Sequence, residues 1–117
     1  MTQNVDSDSQ AFLSALGRVF PGERLMVKRE DTAPFECDAL PVYCEAPLAV
    51  ALAHSEPDVV AAVRLCHEFD VPLVSRGAGT GLSAGAKPIA RGLLLVTAPM
   101  NRILHLDPQA MTARVQP

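Results

Sequence analysis

The sequence predicts an α+β fold, an α/β lobe in which a small sheet containing a βαβ unit is flanked by helices. Three observations predict it. The run Leu48–Ala53 is apolar throughout, which suits a strand buried on both faces. Ser55-Glu56-Pro57-Asp58 follows, with a serine to cap a helix, a proline in its first turn and an acid three residues after the cap. Leu73-Val74-Ser75 then reads as a second short strand, and a strand–helix–strand crossover of this kind implies parallel, right-handed strands.

The elements follow in order. Residues 1–8 read as a flexible tail and residues 9–117 as one lobe. Asp8 or Ser9 can cap a helix that places Phe12, Leu13, Leu16, Val19 and Phe20 on one face, and Pro21-Gly22 ends it. Residues 23–47 carry Pro34, Pro41 and Pro47 and read as irregular; a connection that long wraps a surface or lines a ligand. The helix after Ser55 turns Val59, Ala62, Val63, Cys66 and Phe69 inward, and Val71-Pro72 closes it. Gly92–Thr97 is a third buried strand. Ile103–Asp107 and Thr112–Gln116 flank the turn Asp107-Pro108-Gln109-Ala110, and the alternation of Met111, Ala113 and Val115 with polar residues predicts a half-exposed last strand.

Composition narrows the function. A chain of 117 residues that is 49% hydrophobic can bury one core. Its net charge is −3, with no basic stripe and five aromatic residues, which argues against nucleic-acid binding. No apolar run reaches the ~20 residues of a membrane span. The first eight residues lack the basic and apolar regions of a secretion signal, so a cytoplasmic location is expected. Cys37, Cys44 and Cys66 are odd in number and show no C-x-x-C spacing, so reduced thiols in a reducing compartment are expected. Cys66-His67 would sit side by side on a helix and point apart, so no metal site is expected.

The chemistry concentrates after the second strand. Ser75-Arg76-Gly77-Ala78-Gly79-Thr80-Gly81-Leu82-Ser83-Ala84-Gly85 places four glycines within nine residues. Glycine admits positive φ and lets a ligand lie on bare peptide. Successive N–H groups in such a turn can converge on an anion, and a phosphate or diphosphate is the natural one after a strand. A P-loop needs glycine directly before lysine, whereas Lys87 lies between Ala86 and Pro88. Gly79-Thr80-Gly81-Leu82-Ser83-Ala84 satisfies G-x-G-x-x-A, but that fingerprint must open a helix, which Gly85 and Pro88 would break. The candidate ligand-binding residues are therefore Ser75, Arg76, Gly77, Ala78, Gly79, Thr80, Gly81 and Leu82. The backbone of 77–81 would hold the diphosphate, and Thr80 would add a hydroxyl. Arg76 would offer a guanidinium to the phosphate or serve in a structural ion pair.

The whole stretch Val71–Gly85 resembles the diphosphate loop of FAD-linked oxidases of the vanillyl-alcohol oxidase and p-cresol methylhydroxylase type. The likeness extends to Cys37-Asp38-Ala39-Leu40, Pro47-Leu48-Ala49-Val50, Ser55-Glu56-Pro57-Asp58-Val59, Gly92-Leu93-Leu94-Leu95-Val96, Met100-Asn101-Arg102-Ile103-Leu104 and Arg114-Val115-Gln116-Pro117. It runs most strongly to the glycolate oxidase and D-lactate dehydrogenase group. The resemblance implies the first lobe of a two-lobed FAD-binding domain, with the second lobe and the substrate domain absent. It implies FAD held without a covalent bond, because the position at which some members carry a linking histidine matches Thr80. It implies a parent flavin-dependent oxidoreductase acting on a 2-hydroxy acid such as glycolate or D-lactate. This chain supplies the cradle and no catalytic residue, and is expected to hold FAD weakly by itself. Self-association, or further oxidase subunits, would cover its last strand. A stand-alone nucleotide-binding or interaction module without redox activity is the alternative.

Other side chains read as ordinary. His54 and His105 read as packed or solvated, Glu36 and Asp38 as solvated carboxylates, and Asn101 as a turn former.

Overall fold

The computed structural model describes residues 6–117. Residues 1–5 of the expected tail lie outside the described residues, and Asp6 already caps the first helix through Ser9 N–H at 3.1 Å. Helix α1 spans Ser7–Val19, so it starts earlier than the serine and aspartate signals suggested. Strand β1 (Leu25–Met26) and the short helix α2 (Arg29–Thr32) follow. Then come β2 (Ala49–Leu52), α3 (Glu56–Glu68), β3 (Leu73–Arg76), β4 (Leu93–Val96) and a hairpin of β5 (Ile103–Asp107) and β6 (Thr112–Val115). The mixed α/β architecture is the one expected from the pattern.

The four-stranded sheet runs β1-β2-β4-β3. Strand β1 pairs antiparallel with β2, a pairing the sequence reading missed because two residues show no period. The other strands are parallel, with Leu52, Val96 and Arg76 level at one edge. The β2–α3–β3 crossover therefore skips one position, and β4 fills it. Helices α1 and α3 cover one face, where Phe12, Leu16 and Phe20 meet Ala62, Cys66, Leu93 and Leu95. The Phe12 and Phe69 rings lie 5.7 Å apart, tilted. Val63, expected inward, is exposed, because α3 rests on the core through Ala62 and Cys66 instead. On the opposite face, Val50, Leu94 and Val96 are covered by Met26, Val74 and Phe35. The stretch expected to be irregular thus forms the sheet's second cover. Each large apolar side chain so buried contributes about 1.5–3 kcal/mol.

The start of α3 is fixed by its capping box. Asp58 Oδ2 accepts the N–H groups of His54 at 2.9 Å and Ser55 at 3.2 Å, and the Arg24 guanidinium at 2.5 Å. Arg24 also donates to Leu52 O at 3.3 Å and lies over the Phe20 ring. Burial alone would raise the Asp58 carboxyl, but the His54 N–H and the Arg24 charge outweigh it and hold the group below its usual 3.8. A carboxyl lowered in the folded state stabilises above its unfolded pKa and loses that contribution as pH falls through the folded one. The urea midpoint is therefore expected to drop as pH is taken below 3.8. Asp58→Asn should flatten that decline while lowering the midpoint at neutral pH. An identical acid profile in the variant would refute the assignment.

The hairpin forms its own two-stranded sheet. The last strand is exposed on both faces rather than half buried, because nothing among the described residues packs on it; Met111 is 91% exposed.

Candidate functional site

Arg76 ends β3 at the carboxyl edge of the sheet, where ligands bind in parallel α/β sheets. Residues 77–92 then travel back to the opposite edge without a helix, so the dinucleotide fingerprint is not realised. The ends of this long loop are pinned by Thr97 N–H to Arg76 O and by Leu93 N–H to Pro72 O, both 2.8 Å. Gly92 is needed at the far end, because a Cβ there would press on the Ile89 and Pro72 carbonyls at 3.0 Å.

The eight candidate residues Ser75–Leu82 form one continuous edge. Ser75, Gly77, Ala78, Thr80, Gly81 and Leu82 are exposed. None of the backbone N–H groups from Gly77 to Ser83 donates a hydrogen bond among the described residues. Gly79 turns the chain with φ +75°, and a Cβ there would overlap the Arg76 guanidinium. At Gly77 a Cβ would meet nothing within 4 Å, and at Gly81 only Asp38 Oδ2 at 3.9 Å. Unpaired N–H donors on bare, open backbone are what an anion of diphosphate size requires. The residues present therefore fit a diphosphate.

Arg76 does not form the structural ion pair weighed for it. No carboxylate lies in ion-pair reach among the described residues. Its Nη1 donates to Cys37 O at 2.6 Å, and its guanidinium stacks over the Phe35 ring with the carbon 5.5 Å from the centroid. A cation held by a carbonyl and a ring keeps its full charge beside the glycine turn.

What holds the loop from the side has no periodic signature in the sequence. Residues 35–45 form a strap against it. Phe35 and Cys37 grip Arg76, Asp38 faces Gly81, and Glu45 pairs with Lys87 Nζ at 2.5 Å. The Lys87 hydrogen bond holds the Glu45 carboxyl below its usual value. The strap is closed by Glu45 N–H to Glu36 O at 2.9 Å and by a disulfide between Cys37 and Cys44, whose Cα atoms are 4.6 Å apart. The thiols of Cys37 and Cys44 are thus bonded, not free as expected, and do not point to a reducing compartment. Glu36 and Asp38 are not solvated: Glu36 pairs with Arg29 at 3.0 Å, and Asp38 is 8% exposed. The available signal was the tripeptide Glu36-Cys37-Asp38 between prolines, which has no helix or strand period.

The remaining candidates stand apart. His54 and His105 are exposed. Cys66 is buried and His67 exposed on α3, and burial pushes the Cys66 thiol up to about 11. Among the described residues no three His, Cys, Asp or Glu side chains gather as a metal centre requires, and no helix is long and apolar enough to cross a membrane. A hollow of about 660 Å³ beside β1, lined by Leu25, Met26 and Pro34, does not touch the loop.

A family model described as the FAD binding domain matches residues 47–117, from β2 through the glycine loop to the hairpin. The chain belongs to this FAD-binding family. FAD is the cofactor of the domain. Over 112 residues the chain is 44% identical to the glycolate oxidase subunit GlcD of Escherichia coli K12, covering 96% of this chain and 22% of that protein. Over 95 residues it is 34% identical to the D-lactate dehydrogenase of Anaerostipes hadrus, covering 80% of this chain and 20% of that one. The solved structure of p-cresol methylhydroxylase with substrate bound superposes with a TM-score of 0.74 at 23% identity, over 91% of this chain and 22% of that one, which shows the shared fold. The chain spans about a fifth of the length of these relatives.

Proposed function

We propose that Ser75–Leu82 hold the diphosphate of FAD, and that the chain is the diphosphate-binding lobe of a flavin-dependent oxidoreductase acting on a small 2-hydroxy acid such as glycolate or D-lactate. The observation that carries the reading is the run of unpaired N–H groups from Gly77 to Ser83 at the carboxyl edge, with open space at Gly77 and Gly81. Arg76, which pairs with no carboxylate among the described residues, adds a positive charge, and Thr80 adds a hydroxyl. Thr80 carries no group able to bond the flavin ring, so this loop holds FAD without a covalent link. When bound, the flavin supplies the redox chemistry; this lobe's residues bind and orient it. The substrate class rests on the relatives whose names carry glycolate oxidase and D-lactate dehydrogenase. The apolar side chains of the exposed hairpin, Ile103, Leu106 and Val115, form the surface through which the lobe meets a second copy or the rest of a larger oxidase.

A thermal-shift series with FAD, FMN, NAD and ATP tests the cradle. A ligand that binds only the folded chain raises stability by mass action. FAD at about tenfold its Kd should add about 1.4 kcal/mol, a rise of several degrees, with FMN, which has no diphosphate, well behind. Equal shifts for FAD and FMN, or none, would refute the diphosphate assignment.

A further inference from the structure

Asp38 is buried and only half used. Its Oδ1 accepts the Leu40 N–H at 2.8 Å, while Oδ2 has neither a hydrogen-bond donor nor a cation partner among the described residues. Oδ2 lies 3.9 Å from where a Cβ on Gly81 would stand. The N–H groups of Gly77–Ser83, in the loop that carries Gly81, are likewise without partners among the described residues. A buried carboxylate oxygen without a donor is costly, and its neighbours are donors without an acceptor.

We propose that Asp38 is a positioning residue for the glycine loop, accepting the backbone N–H groups around Gly81 when a diphosphate occupies the loop's open side. This rests on the cradle reading above. Successive peptide units cannot all aim their N–H groups at one anion, and those turned toward the strap need an acceptor there. Oδ2 is closed to solvent, so a cofactor hydroxyl cannot reach it, whereas a small shift of the loop backbone can. The Cys37–Cys44 bridge and the Arg76–Cys37 hydrogen bond fix the segment on which Asp38 sits. The carboxylate therefore sets where the far arm of the loop comes to rest.

Amide hydrogen exchange of the wild-type chain with FAD in excess, alongside FAD titration of Asp38→Ala and Asp38→Asn, tests this. In the wild type, FAD should slow exchange at Gly81 and Leu82 as well as at 77–79. D38A should bind FAD about tenfold more weakly and lose protection at 81–82 while keeping it at 77–79. D38N, whose one amide oxygen is taken by the Leu40 N–H, sets an NH2 donor at the Oδ2 position and should bind FAD as weakly as D38A while keeping the turn at Leu40. A merely structural Asp38 would move all loop amides together. Wild-type protection confined to 77–79, or undiminished FAD affinity in D38A, overturns the inference and leaves the cradle standing. If D38A does not fold, the wild-type exchange pattern and D38N decide. Absence of FAD protection anywhere in 77–82 overturns the cradle and the inference with it.

Discussion

Gly79→Val is expected to lower FAD affinity by at least tenfold and to destabilise the chain by about 3 kcal/mol. Two effects add. The residue sits at φ +75°, a conformation that costs a side-chain-bearing L-residue about 1–2 kcal/mol, and a β-branched one more. A Cβ there would also overlap the Arg76 guanidinium, forcing it off Cys37 O and the Phe35 ring. Loss of a charge-assisted hydrogen bond adds about 1.5 kcal/mol or more. The loop then loses its turn and its fixed cation together. Gly85→Ala is the control, because a Cβ at Gly85 meets nothing within 4 Å. Urea unfolding and FAD titration of both variants check the result. A folded G79V protein that binds FAD as well as the wild type would remove Gly79 and Arg76 from the proposed site.

The second large effect is in the core. Leu95 lies on β4, hydrogen-bonded between β2 and β3, and is 1% exposed beneath α1 and α3. Leu95→Ala removes buried methyl groups and leaves a cavity that flanking strands cannot close without breaking their ladders, which costs about 2–5 kcal/mol. Against a total stability of about 5–15 kcal/mol, that would leave a marginal protein. Val63→Ala, on the exposed face of α3, should change the urea midpoint by less than about 0.5 kcal/mol equivalent. A loss below about 1 kcal/mol for L95A would show that α1 and α3 can settle onto the gap.

What could be read from the sequence was local. Ser55-Glu56-Pro57-Asp58 carries its own hydrogen-bond logic, and the structure shows the capping box it predicts. Leu48–Ala53 and Gly92–Thr97 announced buried strands by unbroken apolar runs, and the glycine spacing marked the loop. What escaped was decided across the chain. Strand β1 has two residues and takes its identity from pairing with Ala51 and Val50. Asp38 is an ordinary surface residue by type, and becomes buried because Gly81 faces it from 43 positions later in the chain. The Cys37–Cys44 bridge follows from the strap curling back through Glu45 N–H to Glu36 O, and the spacing of seven carries no such instruction. For Arg76 the sequence offered a phosphate or an ion pair, whereas its hold on a carbonyl and a ring depends on Phe35 and Cys37, which only the folded chain brings near.

The skipped position in the sheet also governs when the molecule can assemble. On the ribosome, β2, α3 and β3 emerge before the strand that joins them, and β3 has no backbone neighbour until Val96 is synthesised. Nucleation must therefore wait for pairings of high sequence separation, which makes folding slow relative to a helical chain of this size. During that wait, Leu73 and Val74 and the apolar face of α3 are exposed to chaperones and to other nascent chains.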